Sequence, residues 1–160
     1  MRKRVTAFLI ALMMLPAIAM ADEPETYQVW ILCQPDSYVM IRSSPRKKNN
    51  VEAWAYAGDS LWTDGKERSG FLHVYGNFEA GEGWVKSCYV TEYEPEIYET
   101  GKTYRVNVKQ VNCRKTIGGK RRGWLKRGAE VRVWLWSDEW CVTNYGYIQT
   151  QYLEEVEDEE

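Results

Sequence analysis

Apolar and polar residues alternate with a period of two along much of this 160-residue chain. The clearest run has Val131, Val133 and Leu135 at its apolar positions, with Arg132 and Trp134 between them. Such alternation places successive side chains on opposite faces of an extended strand, whereas an amphipathic helix needs a period near 3.6 residues. No helical stripe is visible after the first twenty residues, and glycine-containing turns separate the alternating segments. The pattern therefore predicts an all-β protein.

The chain also repeats itself. Residues 54–61 run aromatic, three residues, glycine, two residues, aliphatic, and residues 124–131 have the same spacing. Three further matches keep the same order: 41–42 with 113–114, 71–74 with 140–143, and 83–90 with 146–153. Four matches in one order indicate one folding unit used twice. We call residues 27–90 the first unit and residues 104–153 the second unit.

These motifs resemble those of the bacterial SH3-like domain family. The second unit matches the family best, in an early strand that ends in Arg114, a Lys-Arg-Gly-Ala-Glu-Val strand, an aromatic-x-Val strand and a closing Gly-Tyr-Ile. The matching segments are 111–114, 126–133, 140–142, 146–148 and 152–153. The first unit is family-like at residues 42–45 but has longer loops. The resemblance implies two tandem small SH3-like β-barrels.

The first 21 residues predict a secretory signal peptide. A basic start at residues 2–4 precedes an apolar stretch at residues 5–18, and residues 19–21 form an A-x-A cleavage site. A transmembrane anchor needs about 20 apolar residues, and this stretch is shorter. We therefore expect a secreted protein, extracellular or in the cell-envelope space, with no membrane anchor after cleavage.

Acidic segments flank the second unit. Residues 91–103 form a short acidic connector, which can hold the units apart or fold back as an extra strand through Ile97 and Tyr98. The sequence does not choose between these two arrangements. Residues 154–160 are predicted to be a disordered acidic tail.

Charge is unevenly distributed along the chain. Removing the three basic residues of the leader from the 21 in the chain leaves 18, against 23 acidic residues, for a net charge of −5. The second unit nevertheless has ten basic and three acidic residues. A basic module can bind nucleic acid or an anionic polymer, but we favour the interpretation that the basic run at residues 120–122 is a solvated loop. Because the chain is predicted to be secreted and has no recognisable nucleic-acid motif, we expect no nucleic-acid partner.

Four cysteines follow the leader, namely Cys33, Cys88, Cys113 and Cys141. Each unit is small enough for its core to be marginal, and an even number of cysteines in an oxidising compartment predicts disulfides. A metal site is the alternative reading. No two cysteines have Cys-x-x-Cys spacing, and His73 is the only histidine, so we expect no metal.

Three pairings of the four cysteines are possible. The repeat alignment and the SH3-like resemblance together favour Cys33 with Cys88 and Cys113 with Cys141. Cys113 and Cys141 align with two inward aliphatic residues, on strands expected to face each other across the barrel core. Cys33 and Cys88 would then join the opening and closing strands of the first unit, where the resemblance implies that the ends of a barrel meet.

The sequence offers little catalytic chemistry. His73 is the one candidate base, and its neighbours Leu72 and Val74 make it an outward strand residue. Acidic pairs such as Asp138 and Glu139 lie in turn-like segments, and there is no glycine-rich phosphate loop. Bacterial SH3-like modules often accompany a separate cell-wall hydrolase domain, and no such domain is expected here. We therefore predict a non-enzymatic protein without a cofactor.

Aromatic residues exceed what two small cores need. Alternation places several of them opposite the apolar positions of their strands, although the parity around Trp54 is ambiguous. The candidate ligand-binding residues are Trp134, Trp136, Trp62, Trp54, Tyr56 and Trp124. Outward tryptophans form rigid contact surfaces. The alternatives are that these side chains join the two barrels or cover the end of a barrel under the long loop of the first unit.

Two functions fit these observations. The SH3-like resemblance implies that the protein binds cell-wall peptidoglycan or its peptides through the aromatic side chains. The alternative is a protein-interaction or accessory module that binds an extended peptide or a partner protein.

Overall fold

The computed structural model describes residues 25–46 and 50–156. The first unit contains β1 (Tyr27–Ile31), β2 (Tyr38–Arg42), β3 (Val51–Tyr56), β4 (Ser60–Thr63), β5 (Glu67–Arg68), β6 (Phe71–Tyr75), β7 (Glu82–Lys86) and β8 (Val90–Thr91). The remaining strands are β9 (Glu96–Val106), β10 (Gln110–Arg114), β11 (Arg121–Lys126), β12 (Glu130–Trp136), β13 (Trp140–Thr143), β14 (Gly146–Gln149) and β15 (Leu153–Glu155). Short 3-10 turns at Ser87–Tyr89 and Thr150–Tyr152 precede β8 and β15. The predicted all-β class is confirmed.

The predicted signal peptide and most of the predicted acidic tail are not among the described residues. The predicted signal peptide, residues 1–21, lies outside the described residues, as do residues 157–160 of the acidic tail. The beginning of that tail belongs to β15, which pairs with β9 through Glu154 and Glu155. Within the described ranges, no helix is both long enough and apolar enough to cross a membrane.

The strands form two antiparallel sheets with the same order. The first sheet runs β3-β2-β7-β6-β4-β1-β8, with β5 added on β6, and the second runs β11-β10-β14-β13-β12-β9-β15. Taken position by position, the two orders match, so the repeat in sequence is also a repeat of topology. Closure of a barrel requires hydrogen bonds between the first and last strands. Neither β3 with β8 nor β11 with β15 is paired, and the closed barrels expected from the resemblance are not formed.

The acidic connector is largely part of the second sheet. Its residues from Glu96 onward belong to β9, which pairs along β12. The ladder places Ile97 opposite Leu135 and Lys102 opposite Val133, with a bulge between these two pairs. Most of the segment between the units is therefore an ordered strand.

Each sheet buries one set of alternating side chains. In the second sheet Val131, Val133 and Leu135 are each at most 1% exposed, as the alternation of β12 predicts. The first core is formed by Val29, Ile31, Cys33, Val39, Ile41, Ala55, Leu61, Leu72, Val74 and Val85. The second is formed by Tyr104, Val106, Val111, Cys113, Val131, Val133, Cys141, Ile148 and Leu153.

A third apolar cluster joins the two units. Leu32 from the first unit packs with Leu135, Val142 and Tyr147 from the second, and all four are buried. The Tyr147 hydroxyl donates a hydrogen bond of 2.7 Å to the Leu32 carbonyl. The Ile117 backbone N–H donates to the Cys88 carbonyl at 3.1 Å. The two sheets therefore pack directly against each other, a point that the sequence left open.

Backbone conformation explains why both copies of the repeated motif contain a glycine. Gly58 has φ of 82° and Gly128 has φ of 84°, in the left-handed region that glycine enters without strain. Each donates its N–H at 2.8 Å to a strand carbonyl, Gly58 to Ile31 and Gly128 to Val106. The same turn therefore connects β3 to β4 and β11 to β12.

The predicted disulfides are not formed, and all four cysteines are free thiols. Cys113 and Cys141 do not face each other across the core, because β14 lies between their strands and both flank Ile148. Their strands are therefore not neighbours in the sheet, and no bond joins the two sulfurs. The Cys141 thiol instead donates to the Ile148 carbonyl, with sulfur and oxygen 3.3 Å apart.

Cys33 and Cys88 lie closer to the predicted arrangement. Continuing the antiparallel register of β1 and β8 places Cys33 opposite Cys88, and the neighbouring Leu32 N–H donates to the Tyr89 carbonyl at 2.8 Å. The Cys33 thiol points elsewhere, toward the Ser37 carbonyl at 3.6 Å. The pair therefore shares a register position without a bond between the sulfurs.

Candidate ligand-binding surface

Four large side chains form an exposed surface on β2 and β3. Because Val39 and Ile41 point into the core, the residues between them point outward. The exposed set, which we call the aromatic face, consists of Tyr38 (51% exposed), Met40 (37%), Trp54 (56%) and Tyr56 (55%). Four such side chains side by side form a contact surface rather than scattered apolar residues.

The register of the two strands brings these side chains together. Tyr38 lies opposite Tyr56 and Met40 lies opposite Trp54. The two tyrosine rings are 6.5 Å apart, edge to face. Cross-strand pairs of this kind support one another. The face is therefore a set of paired, laterally supported side chains on a sheet, which limits the entropy lost when a ligand binds.

A cleft between the two units adjoins the aromatic face. It has a volume of about 330 Å³, and both Tyr38 and Met40 line it. Four cationic side chains also line it, Arg42 and Lys86 from the first unit and Lys115 and Arg122 from the second. We call this the cationic cleft. No Asp or Glu among the described residues contributes to its lining.

The predicted site residues divide into two groups. Trp54 and Tyr56 belong to the aromatic face, and the ambiguity in their parity is resolved because Ala55 between them is 2% exposed. Trp124 and Trp62 are also exposed, at 48% and 49%, but they lie apart from the face. Trp124 is on β11 of the other sheet, and Trp62 is on β4, with β7 and β6 between it and β2.

Trp134 and Trp136 are half-buried and pack against protein. Trp134 packs against the apolar cluster that joins the units. Trp136 stacks on Tyr104 with ring centroids 4.4 Å apart. Of the six predicted residues, the structure therefore brings together only the two in the first unit's hairpin, Trp54 and Tyr56.

A polar cluster surrounds Asp64, whose side chain is only 1% exposed. Lys66 Nζ lies 2.7 Å from this carboxylate, His73 Nδ1 lies at 3.2 Å, and the Tyr75 hydroxyl donates at 3.1 Å. Burial acts to raise the pKa of Asp64, but hydrogen bonds from Lys66, His73 and Tyr75 outweigh burial and hold that pKa well below its usual range. The ionised carboxylate therefore fixes the loop between β4 and β6.

The described residues offer no activated nucleophile beside this cluster. His73 has ring contacts with Tyr75 and Trp84, both at centroid distances of 4.8 Å, and its hydrogen bonds go to Asp64.

Two buried thiols elsewhere in the molecule have raised pKa values. Burial, reinforced by the charge of Asp59, raises the pKa of the Cys33 thiol to about 11. Burial raises that of Cys141 to about 12. These thiols stay protonated at neutral pH and are poor nucleophiles.

Sequence reasoning missed half of the aromatic face and all of the cationic cleft. Tyr38, Met40 and Arg42 alternate with Val39 and Ile41, and this period of two was a usable signal for an outward stripe on β2. The cleft had no local signal. Its cations come from four separate strands or turns and meet only when the two units pack together.

No protein-family model and no curated protein matches this chain. Among solved structures, the chain is similar to NlpC1 from Trichomonas vaginalis, with 17% identity and a TM-score of 0.39 over 86% of this chain and 49% of that one. It is also similar to NlpC2 from the same organism, with 16% identity and a TM-score of 0.38 over 86% of this chain and 52% of that one. The chain thus spans about half the length of these two proteins.

Proposed function

We propose that this protein is a secreted, non-enzymatic binding module of tandem SH3-like units that recognises cell-wall peptidoglycan or its peptides. The observation that carries the proposal is the aromatic face, four exposed side chains paired across β2 and β3. Flat, rigid aromatic side chains contribute much of the binding energy at recognition surfaces. They also pack against sugar rings and against the backbone of extended peptides.

The proposal assigns no catalytic role to the histidine or to the buried thiols. The single histidine is used to hold a loop, and the buried thiols have raised pKa values. No group of three or more His, Cys, Asp or Glu in the described ranges could hold a metal ion.

A second candidate function is binding of an extended peptide from a partner protein. β3 is at the edge of the first sheet, so one side of its backbone has no strand partner among the described residues, and the aromatic face lies partly on the same strand. An extended peptide can add to such an edge while its side chains contact the face. This candidate differs from the first in the ligand, not in the surface.

The test compares Trp54→Ala with Trp124→Ala in binding to purified bacterial cell wall. Trp54 is on the aromatic face, whereas Trp124 is similarly exposed and occupies the corresponding position of the other sheet. We expect Trp54→Ala to lose about 2 kcal/mol of affinity, roughly thirtyfold. Trp124→Ala should bind like the wild type, and neither melting temperature should fall by more than a few degrees.

Equal wall binding by wild type and Trp54→Ala, with unchanged melting, would remove the aromatic face from the site. Failure of every variant to bind wall, together with binding to a proline-rich peptide that Trp54→Ala weakens, would favour the second candidate.

A further inference from the structure

We propose that the cationic cleft binds an anionic group, a carboxylate or a phosphate, of the same ligand that lies on the aromatic face. This inference rests on the proposed function and specifies, in addition, that the ligand carries a negative charge. It is supported by four cationic side chains, two from each unit, that line one cleft.

The four cations of the cleft have no carboxylate partners in the described part of the chain. The ion pairs there involve Lys66, His73, Lys102 and Arg105, none of which lines the cleft. Arg42 contacts only neutral groups, with Nη1 3.4 Å from Asn50 Oδ1 and Nη2 3.6 Å from Met40 Sδ. Like charges around one cavity repel each other, and a bound anion would relieve that repulsion.

The walls of the cleft are held in place by contacts between the units. Tyr147 lines the cleft and is fixed by its hydrogen bond to the Leu32 carbonyl. Gln34, also in the lining, donates from Nε2 to the Thr143 carbonyl at 3.2 Å. Because these contacts preset the separation of the walls, a ligand would not have to order them on binding.

The cleft and the aromatic face are continuous along β2. Tyr38, Met40 and Arg42 alternate on one side of this strand, and all three line the cleft. The strand rises about 3.3 Å per residue, so Tyr38 and Arg42 are separated by roughly 13 Å. One extended ligand with an apolar or planar part and an acidic part would reach both surfaces.

The experiment uses three short peptides as probes, measured by calorimetry on the full-length mature chain. They are acetyl-Trp-Glu-Glu-amide, its phosphoserine counterpart acetyl-Trp-pSer-pSer-amide, and the neutral acetyl-Trp-Gln-Gln-amide. We expect at least one anionic peptide to bind about tenfold more tightly than the neutral peptide at low salt, because each partly exposed ion pair increases the affinity up to about fivefold. The tighter anionic peptide identifies the group, and its advantage should shrink at high salt.

A matched pair of double variants locates the effect. Lys115→Gln with Arg122→Gln removes two cations of the cleft, and Lys109→Gln with Arg127→Gln removes two exposed cations at the opposite end of the β10–β11 hairpin. We expect the first double variant to bind the anionic peptide about as weakly as the neutral peptide. The second should change its affinity less than about twofold, because these charges are distant and screened.

Three results would overturn the proposal: equal binding of the anionic and neutral peptides, equal loss in both double variants, or no binding of either anionic peptide. Trp54→Ala separates this inference from the proposed function. If Trp54→Ala weakens all three peptides while charge makes no difference, the aromatic face remains a site and the cleft does not. If the cleft variants weaken binding and Trp54→Ala does not, the cleft binds an anion, but the proposal that one ligand occupies both surfaces is wrong.

Discussion

The two units share one strand order but use their outer surfaces differently. The outward pairs of the first hairpin are Tyr38 with Tyr56 and Met40 with Trp54. The corresponding pairs of the second hairpin are Gln110 with Lys126 and Asn112 with Trp124. Three of the four apolar or aromatic positions of the first hairpin are therefore polar in the second. Both hairpins keep apolar residues at the buried positions of their first strand, and only the first hairpin presents paired aromatic side chains to solvent.

The strands that follow these hairpins, β4 and β12, also differ between the two units. In the repeat alignment, the position of Asp64 in the first unit corresponds to Trp134 in the second. β4 ends at Thr63, and Asp64 begins a clamped loop, whereas β12 continues to Trp136. The extra residues of β12 pack against the other unit and against Tyr104. Trp134 and Trp136 of the second unit thus pack against protein, whereas the aromatic face of the first unit stays exposed.

The strongest test of this comparison is Trp134→Ala. Trp134 packs against the cluster that joins the units, so its truncation should lower the free energy of unfolding by about 3 kcal/mol. Chemical denaturation measures the loss, and scattering should show a looser arrangement of the two units. Trp124→Ala is the control, because this exposed side chain should cost less than about 0.5 kcal/mol. Similar losses in the two variants would contradict the division between assembly and contact.

Asp64→Asn tests the hydrogen bonds around Asp64, which occupies the position in the first unit that Trp134 occupies in the second. The variant weakens charge-assisted hydrogen bonds from Lys66, His73 and Tyr75, and we expect about 1.5 kcal/mol lower stability at neutral pH. Because the folded pKa of Asp64 is lowered, its stabilisation is present above the unfolded pKa near 3.9 and is lost as pH falls through the folded value. The difference between wild type and variant should therefore shrink below about pH 4.

Denaturation curves of Asp64→Asn between pH 2 and pH 8 provide the measurement. Glu67→Gln, an exposed carboxylate in the same loop, is the control and should leave stability nearly unchanged. A stability difference that stays constant down to pH 2 would show that the charge of Asp64 is not the source of the effect.

Tyr147→Phe addresses the smallest difference between the units. Tyr147 and Trp84 occupy the same register position, opposite Arg114 and Arg42, but only the tyrosine carries a hydroxyl that reaches the other unit. Removing this hydroxyl leaves the Leu32 carbonyl without its partner, and we expect a loss of about 1 kcal/mol. Thermal denaturation measures it, with Tyr145→Phe as an exposed control. No change in Tyr147→Phe would mean that the apolar cluster alone holds the units together.

Local features of the fold were predictable from the sequence. The alternation of β12 correctly assigned Val131, Val133 and Leu135 to the core, because side-chain direction along a strand depends only on the backbone. The recurrence of Gly58 as Gly128 marked a turn that requires positive φ, which is a property of the single residue. The disulfide between Cys113 and Cys141 was predicted wrongly, because the alignment identified inward positions but not the strand that separates them.

The sequence by itself therefore determined the strand content, the repeated unit and the inward residues of a clearly alternating strand such as β12, since these follow from local backbone geometry and a period of two. Only the tertiary structure decided which outward residues stay exposed. Trp54 and Trp134 both point away from their own core, yet one faces solvent and the other packs at the boundary between the units. The cationic cleft was decided in the same way, because Arg42 and Lys115 are distant in sequence and converge only when the two sheets pack.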